Sequence, residues 1–255
     1  MNTNNREVDE MYEKSGKINI FWFENGASNI CGLELDDEIV VFDSSLYSKK
    51  FEEAIDILQD KYNKKVKKVF LTHYHPDHSF GVIFSKKNLE LFMNMETFYC
   101  LNSIKKESLK SLSDNSGSDF MNLQQLLTKK KVELFNGNIL KSFRNTILNG
   151  ISVGGHSKDS TIYIIKPDNI LISGDLVFSK VHAETQGANI DIWKDLLCKL
   201  DTYDIAYVVP GHGTPSGKEL LKVQFQYLQD YSNKEKLKKL YSTYLLSDLL
   251  KDFEK

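Results

Sequence analysis

Cysteine is scarce and scattered. The chain has three, Cys31, Cys100 and Cys198, with no CxxC pair and an odd total, which argues against a disulfide framework and fits a reducing compartment. Charge of one sign is also missing. Its 33 basic residues stand against 35 acidic ones for a net charge of −2, so no nucleic-acid partner is advertised. The lysines at 64–65, 67–68 and 129–131 sit among acids and read as solvated faces. No apolar run reaches the length of a membrane span, and residues 1–16 are a polar lead-in without an apolar leader. The expectation is a cytoplasmic protein with no membrane partner.

What the chain does have is a core. At 255 residues and 41% hydrophobic composition, one domain over 1–255 is expected. Ile18 to Phe23, Ser28 to Leu35 and Glu38 to Phe42 read as a meander of three strands. Phe51, Ala54, Ile55 and Leu58 recur at helical spacing and should lie against a sheet. After a short apolar run at Leu89 to Phe92, residues 94–131 are polar, with helical pieces and a Ser/Asn/Gly-rich centre that reads as a mobile loop and a candidate substrate cover. Trp193, Leu196, Leu197 and Leu200 mark a helix, and Leu220, Val223, Tyr227, Leu228 and Tyr231 another. A helix is expected over 234–255, its apolar residues either closing the core or docking a second subunit as a homodimer.

The chemistry is concentrated in one place. Val66 to Leu71 is an apolar, strand-like run that empties into Thr72-His73-Tyr74-His75-Pro76-Asp77-His78, where three of the chain's six histidines fall. Alternate residues of an extended segment point the same way, so His73 and His75 can present imidazoles to one ion. Pro76 turns the chain and frees Asp77 and His78 to face a second. Imidazole and carboxylate form the ligand set of zinc, and also of iron or manganese. Three later strands end in the same style, at Gly155-His156-Ser157, Ser173-Gly174-Asp175 and Pro210-Gly211-His212-Gly213. Asp43, at the end of the third strand, reads either as a carboxylate supporting the site or as a turn and helix cap.

These motifs, in this order, resemble the metal-binding motifs of the metallo-beta-lactamase superfamily over roughly Ile18 to Tyr231. The resemblance implies a four-layer αβ/βα sandwich, two mixed β-sheets face to face with helices outside. It also implies two divalent ions, zinc first: His73, His75 and His156 would hold one, Asp77, His78 and His212 the other, and Asp175 would bridge them. Asp43 and Thr72 would support the ligands from behind. His182 either reaches substrate or is an ordinary loop histidine. Tyr74, Phe80, Phe84 and Phe178 line an apolar pocket or belong to the core.

Two such ions share a water and lower its pKa, so the expected activity is hydrolysis of a small-molecule ester, thioester or lactone, with Asp77 orienting the attacking hydroxide. An iron-dependent oxidoreductase would share much of the ligand set. A nuclease would need a basic groove that is not evident. A purely structural metal site is disfavoured because such sites are closed and sulfur-rich. True β-lactamase activity is expected to be weak. One branch of those enzymes uses a cysteine where this chain has Asp175, and a lysine where it has Phe178, although Lys180 is nearby.

Overall fold

In a computed structural model of the chain, residues 11–14, 17–21 and 26–246 are described. The first sheet begins with β1 (Met11–Lys14), β2 (Ile18–Phe21), β3 (Ile30–Glu34) and β4 (Ile39–Phe42), an antiparallel meander. It continues in parallel through β5 (Val66–Phe70), β6 (Glu90–Asn94) and β7 (Lys131–Phe135). The switch from hairpins to parallel pairing comes with α1 (Ser48–Tyr62), which carries the chain back across the sheet. That helix buries Phe51, Ala54, Ile55 and Leu58, the four residues of its apolar stripe.

The second sheet runs in the order β12 (Tyr207–Gly213), β11 (Ile170–Ser179), β10 (Thr161–Lys166), β9 (Thr146–Ser152) and β8 (Asn138–Phe143). Only β11 and β12 pair in parallel. The two sheets pack face to face through a core that includes Ile18, Val40, Phe42, Phe70, Phe92, Tyr163, Ile172 and Val209. Phe42, Phe70 and Phe92 stand in register on three adjacent parallel strands. Rings of the last two stack at 4.5 Å, and Tyr163 crosses from the other sheet to donate from its hydroxyl to the Leu71 carbonyl at 2.7 Å. Each such ring, fully buried, contributes about 1.5–3 kcal/mol.

Alternation along the strands sends the other side chains outward. Ile39, Val41, Val69 and Leu71 meet α1 and α2 (Pro76–Phe84) on one side. Ile162, Ile164, Leu171 and Val208 meet α6 (Ile190–Asp201) and α7 (Glu219–Asp230) on the other. The result is the expected helix–sheet–sheet–helix sandwich. No helix among the described residues is long and apolar enough to cross a membrane.

Two expectations need correction. Residues 94–131 hold the expected helical pieces, α3 (Met95–Ser103), α4 (Lys106–Ser116) and α5 (Leu123–Leu127), but the Ser/Asn-rich centre read as a mobile loop is mostly the end of α4, which Gly117 closes in the left-handed conformation. Leu101, Leu109, Phe120, Leu123 and Leu127 are buried in the outer core against α2, so few but well-spaced apolar residues fix a segment whose average is polar. The helix expected over 234–255 is short, α8 (Lys234–Leu240), after which Leu245 pairs with Val181 in a parallel bridge. Residues 247–255 lie outside the described residues.

Candidate metal centre

The parallel strands of the first sheet deliver the first donors at their carboxyl ends. β5 ends at Phe70, and Thr72 and His73 follow directly. His75 sits at the N-cap of α2 and Pro76 at its first turn, where a missing N–H costs nothing. Asp77 and His78 are thereby carried into that turn, both buried, with the carboxylate at the positive end of the helix.

In the second sheet two of the three donors lie inside strands rather than past their ends. β11 and β12 run on through Asp175 and His212, and their register shifts on either side of Gly174. Gly174 has φ +50°, a left-handed backbone that turns Asp175 inward. His156 follows β9 in a turn that Gly154 and Gly155, both at positive φ, allow.

All seven expected donors converge. One ligand atom from each of His73, His75, His156 and Asp175 lies within 4.8 Å of the others, and the same holds for Asp77, His78 and His212. Asp175 joins the groups. Its Oδ2 faces Nε2 of His156 at 3.5 Å and of His73 at 3.8 Å, while its Oδ1 faces Nε2 of His78 at 3.0 Å and of His212 at 3.5 Å. Asp77 Oδ2 is 3.3 Å from His212 Nε2 and 3.7 Å from His78 Nε2.

The imidazoles are oriented from behind. A carbonyl only accepts, so Nδ1 of His156 donates to Glu184 O at 3.1 Å and Nδ1 of His212 to Gly26 O at 2.9 Å. Nδ1 of His78 meets Asp43 Oδ2 at 2.8 Å. The Thr72 hydroxyl also donates to that oxygen at 2.8 Å, which leaves Thr72 Oγ1 as acceptor for His73 Nδ1 at 3.0 Å. The Thr72 backbone N–H fixes the other Asp43 oxygen at 2.8 Å. With Nδ1 engaged, each of these four rings in its neutral form turns an Nε2 lone pair inward, the usual preparation of a metal-ligating histidine. Asp43 holds this position at φ +57°, and of its two earlier readings the supporting carboxylate is the one its contacts match.

Burial and charge divide the cluster electrostatically. Burial, reinforced by the neighbouring imidazoles, keeps His73 well below the usual histidine range, and burial pushes His156 down to about 3 despite Asp175. For His212, burial is outweighed by Asp175 and Asp77, which raise it to about 10. The same carboxylates, with Asp43, hold His78 well above its ordinary value. Reciprocally, His78 and His212 overcome burial to hold the Asp175 carboxyl well below the usual carboxylate range.

The donor set fits divalent cations. His73 Nε2, Asp77 Oδ1 and Asp175 Oδ1 are buried and make no hydrogen bond, an arrangement that costs free energy unless a further group meets them. Donors are nitrogen and oxygen only, with Cys31 and Cys100 buried elsewhere. Such a set accommodates zinc, iron or manganese.

The remaining candidates fall in different places. Phe178 is buried and stacks on the His212 ring at 5.1 Å with planes 9° apart, while Trp193 packs edge-on to His156 at 5.4 Å. Phe80 and Phe84 pack with Phe120 in the outer core, and Tyr74 joins that core. His182 is not among the converging donors: its Nδ1 is 3.0 Å from the Tyr227 hydroxyl. The sequence reading missed Asp159, a fully buried carboxylate that takes a 2.7 Å hydrogen bond from Ser157 and whose burial raises its pKa. Only its position three residues after His156 could have signalled it, because a serine-flanked aspartate reads as a solvated turn. It also missed the carbonyls of Gly26 and Glu184, which no side-chain pattern reveals.

The sequence model of the metallo-beta-lactamase superfamily matches residues 26–88, the segment from the Gly26 turn through the histidine motif. The fold is similar to that of the metallo-beta-lactamase from Pontibacter korlensis, at 19% identity over 87% of this chain and 99% of that one, with a TM-score of 0.67. It is similar to TMB-1 at 20% identity over 88% and 98%, with a TM-score of 0.65. The DIM-1 metallo-beta-lactamase exposed to ceftazidime matches at 18% identity over 88% and 99%, with a TM-score of 0.66. Residues 26–88 thus match the sequence model of that superfamily, and the two mixed sheets with a His/Asp cluster at their edge make a fold similar to that of solved metallo-beta-lactamases.

Proposed function

We propose that the chain is a hydrolase of small esters, thioesters or lactones that works with two divalent ions, zinc by preference. The observation that carries this reading is the Asp175 carboxylate, with Oδ2 turned to His73 and His156 and Oδ1 to His78 and His212. A carboxylate so placed can hold two cations at a fixed separation. His73, His75 and His156 would hold one ion and Asp77, His78 and His212 the other. When bound, the ions would supply Lewis acidity, activating a water and polarising the substrate's carbonyl oxygen.

The chain's own residues supply the rest. Asp77 would use Oδ1, its free buried oxygen, to orient the attacking water and accept its proton. Asp43 and Thr72 hold His78 and His73 in one tautomer, so the lone pairs need no reorganisation during turnover. Phe178 and Trp193 wall the His212 and His156 rings with apolar surface and strengthen the electrostatics of the site by excluding water.

The similar structures named as β-lactamases favour β-lactam hydrolysis as a second reading. Against it, Phe178 is buried against His212 and offers no cation to a drug's carboxylate. Purified protein reconstituted with zinc, iron or manganese should be assayed on a thioester, a lactone, a simple ester, a penicillin, a cephalosporin and a carbapenem. Zinc-dependent turnover of an ester, thioester or lactone is expected. A kcat/KM of about 10⁵ M⁻¹s⁻¹ or more on a β-lactam would establish the second reading instead. Activity confined to the iron-loaded protein would point to redox chemistry.

A further inference from the structure

We propose that the segment Tyr241–Leu246 is a positioning strap for His156 and His212, an inference that rests on reading those two residues as metal ligands. His73 and His78 are oriented by side chains, through Thr72 and Asp43. His156 and His212 are oriented by the carbonyls of Glu184 and Gly26, whose positions are only as fixed as the loops that carry them. The strap holds both loops.

One end of the grip is on residues 180–185. After β11 ends at Ser179, Lys180 turns at φ +58° and the chain leaves the sheet. Leu245 N–H donates to Lys180 O at 3.0 Å and Leu245 O accepts from His182 N–H at 2.8 Å. The Thr185 hydroxyl bonds to that of Tyr231, so Glu184 is pinned from both sides. The other end is on Gly26, where a Cβ would lie 2.6 Å from Leu246 O and 3.4 Å from Leu245 Cβ. The strap backbone therefore sits directly on the residue whose carbonyl holds His212.

An aromatic clasp secures the strap. The Tyr241 hydroxyl bonds to buried Asp230 Oδ2 at 3.1 Å, and the Tyr244 ring stacks with Tyr227 at 6.1 Å and 4°. His182 completes it, 3.0 Å from the Tyr227 hydroxyl and with its ring 5.8 Å from that of Tyr244. Leu245 itself is 40% exposed. Its contribution is the backbone pairing, which separates positioning from core packing in an experiment.

In the full-length protein, Leu245→Pro removes the N–H that bonds Lys180, while Leu245→Ala keeps it. Two quantities are read: affinity for zinc alone, by competition with a chromophoric chelator, and solvent exchange of the histidine Nδ1–H protons by nitrogen-15 NMR. Leu245→Pro should weaken zinc binding by about 10–100-fold, the usual loss when the support behind a ligand is removed. It should also speed exchange at His156 and His212 and leave His78 unchanged, with Leu245→Ala as wild type. Leu109→Ala, in the outer core, should lower Tm but leave zinc affinity and all three protons alone. If Leu245→Pro does not fold, Tyr244→Ala takes its place. Wild-type affinity and unchanged ring protons in a folded strap variant would overturn the strap. Should the wild type itself take up no zinc, the metal-hydrolase reading fails, and the ring protons alone decide whether the strap positions these histidines.

Discussion

His78 and His212 face each other through Nε2 atoms 3.3 Å apart, while Nδ1 of each is already engaged, by Asp43 Oδ2 and by the Gly26 carbonyl. Two imidazole lone pairs cannot bond to one another. Their approach requires a cation or a proton between them, and the nearby carboxylates of Asp77 and Asp175 favour either. The same geometry thus explains the raised pKa values of the protein's own groups and the affinity expected for a metal.

Equilibrium dialysis against excess zinc should therefore leave about two ions per chain, falling to about one in His212→Ala. Uptake near zero in the wild type would remove the basis of the hydrolase reading.

Asp43 links the two groups from behind, because its Oδ2 accepts from His78 directly and from His73 through the Thr72 hydroxyl. Asp43→Asn keeps the volume but loses one acceptor. It should cost about 10–100-fold in zinc affinity at both sites. Thr72→Val, which cuts only the relay to His73, should weaken one site and spare the other. An Asp43→Asn protein with wild-type affinity at both would show that the hydrogen bonds follow the metal rather than prepare for it.

The site was legible in the sequence because its donors lie in four short motifs, each at or within a strand. Extended backbone gives side-chain direction almost for free, as for His73 and His75 beyond β5. The α1 stripe was legible for the matching helical reason. What escaped was information held in backbone or in sparse contacts. The centre of 94–131 looks like a loop because Ser, Asn and Gly dominate it, yet sparse apolar residues, Leu109, Leu112, Leu123 and Leu127 among them, hold α4 and α5 to the core. Beyond Leu240 the apolar spacing suits a helix, but Tyr241 and Tyr244 find Tyr227 as a partner and Leu245 finds an open backbone edge at Val181. Tertiary pairing outweighs a helical tendency that is weak in a short segment.

Stability of the metal-free protein should depend on pH in a way set by His212. Its pKa rises from an ordinary 6.5 to about 10, so its folded-state protonation stabilises fully below pH 6.5 and is lost as pH rises through about 10. Urea unfolding of metal-free protein should show stability falling over that window. Saturating zinc should suppress the fall, because a cation then replaces the proton. An unchanged alkaline slope with zinc bound would mean that His212 is not a ligand.

Gly211 offers a test of the bridge by shape alone. A Cβ there would lie 2.0 Å from Asp175 Oδ1, 2.7 Å from the Gly174 carbonyl carbon and 2.9 Å from the Asp175 nitrogen. Gly211 has no positive φ, so alanine meets no left-handed strain and acts by pushing on the carboxylate between the two groups and on the Gly174–Asp175 backbone that carries it. Displacement of this kind, on the order of 1 Å, costs about 100-fold in rate when it misplaces reacting groups. Gly211→Ala should therefore lose most hydrolysis and part of its zinc while remaining folded. Gly187 provides the opposite case: its φ is +79°, but nothing lies within 4 Å of its Cβ position. Gly187→Ala should cost about 1–2 kcal/mol of stability from left-handed strain and leave metal and turnover intact. If Gly211→Ala kept full activity with two ions bound, Asp175 would have to reach the metals from a position other than the one seen between His73 and His78.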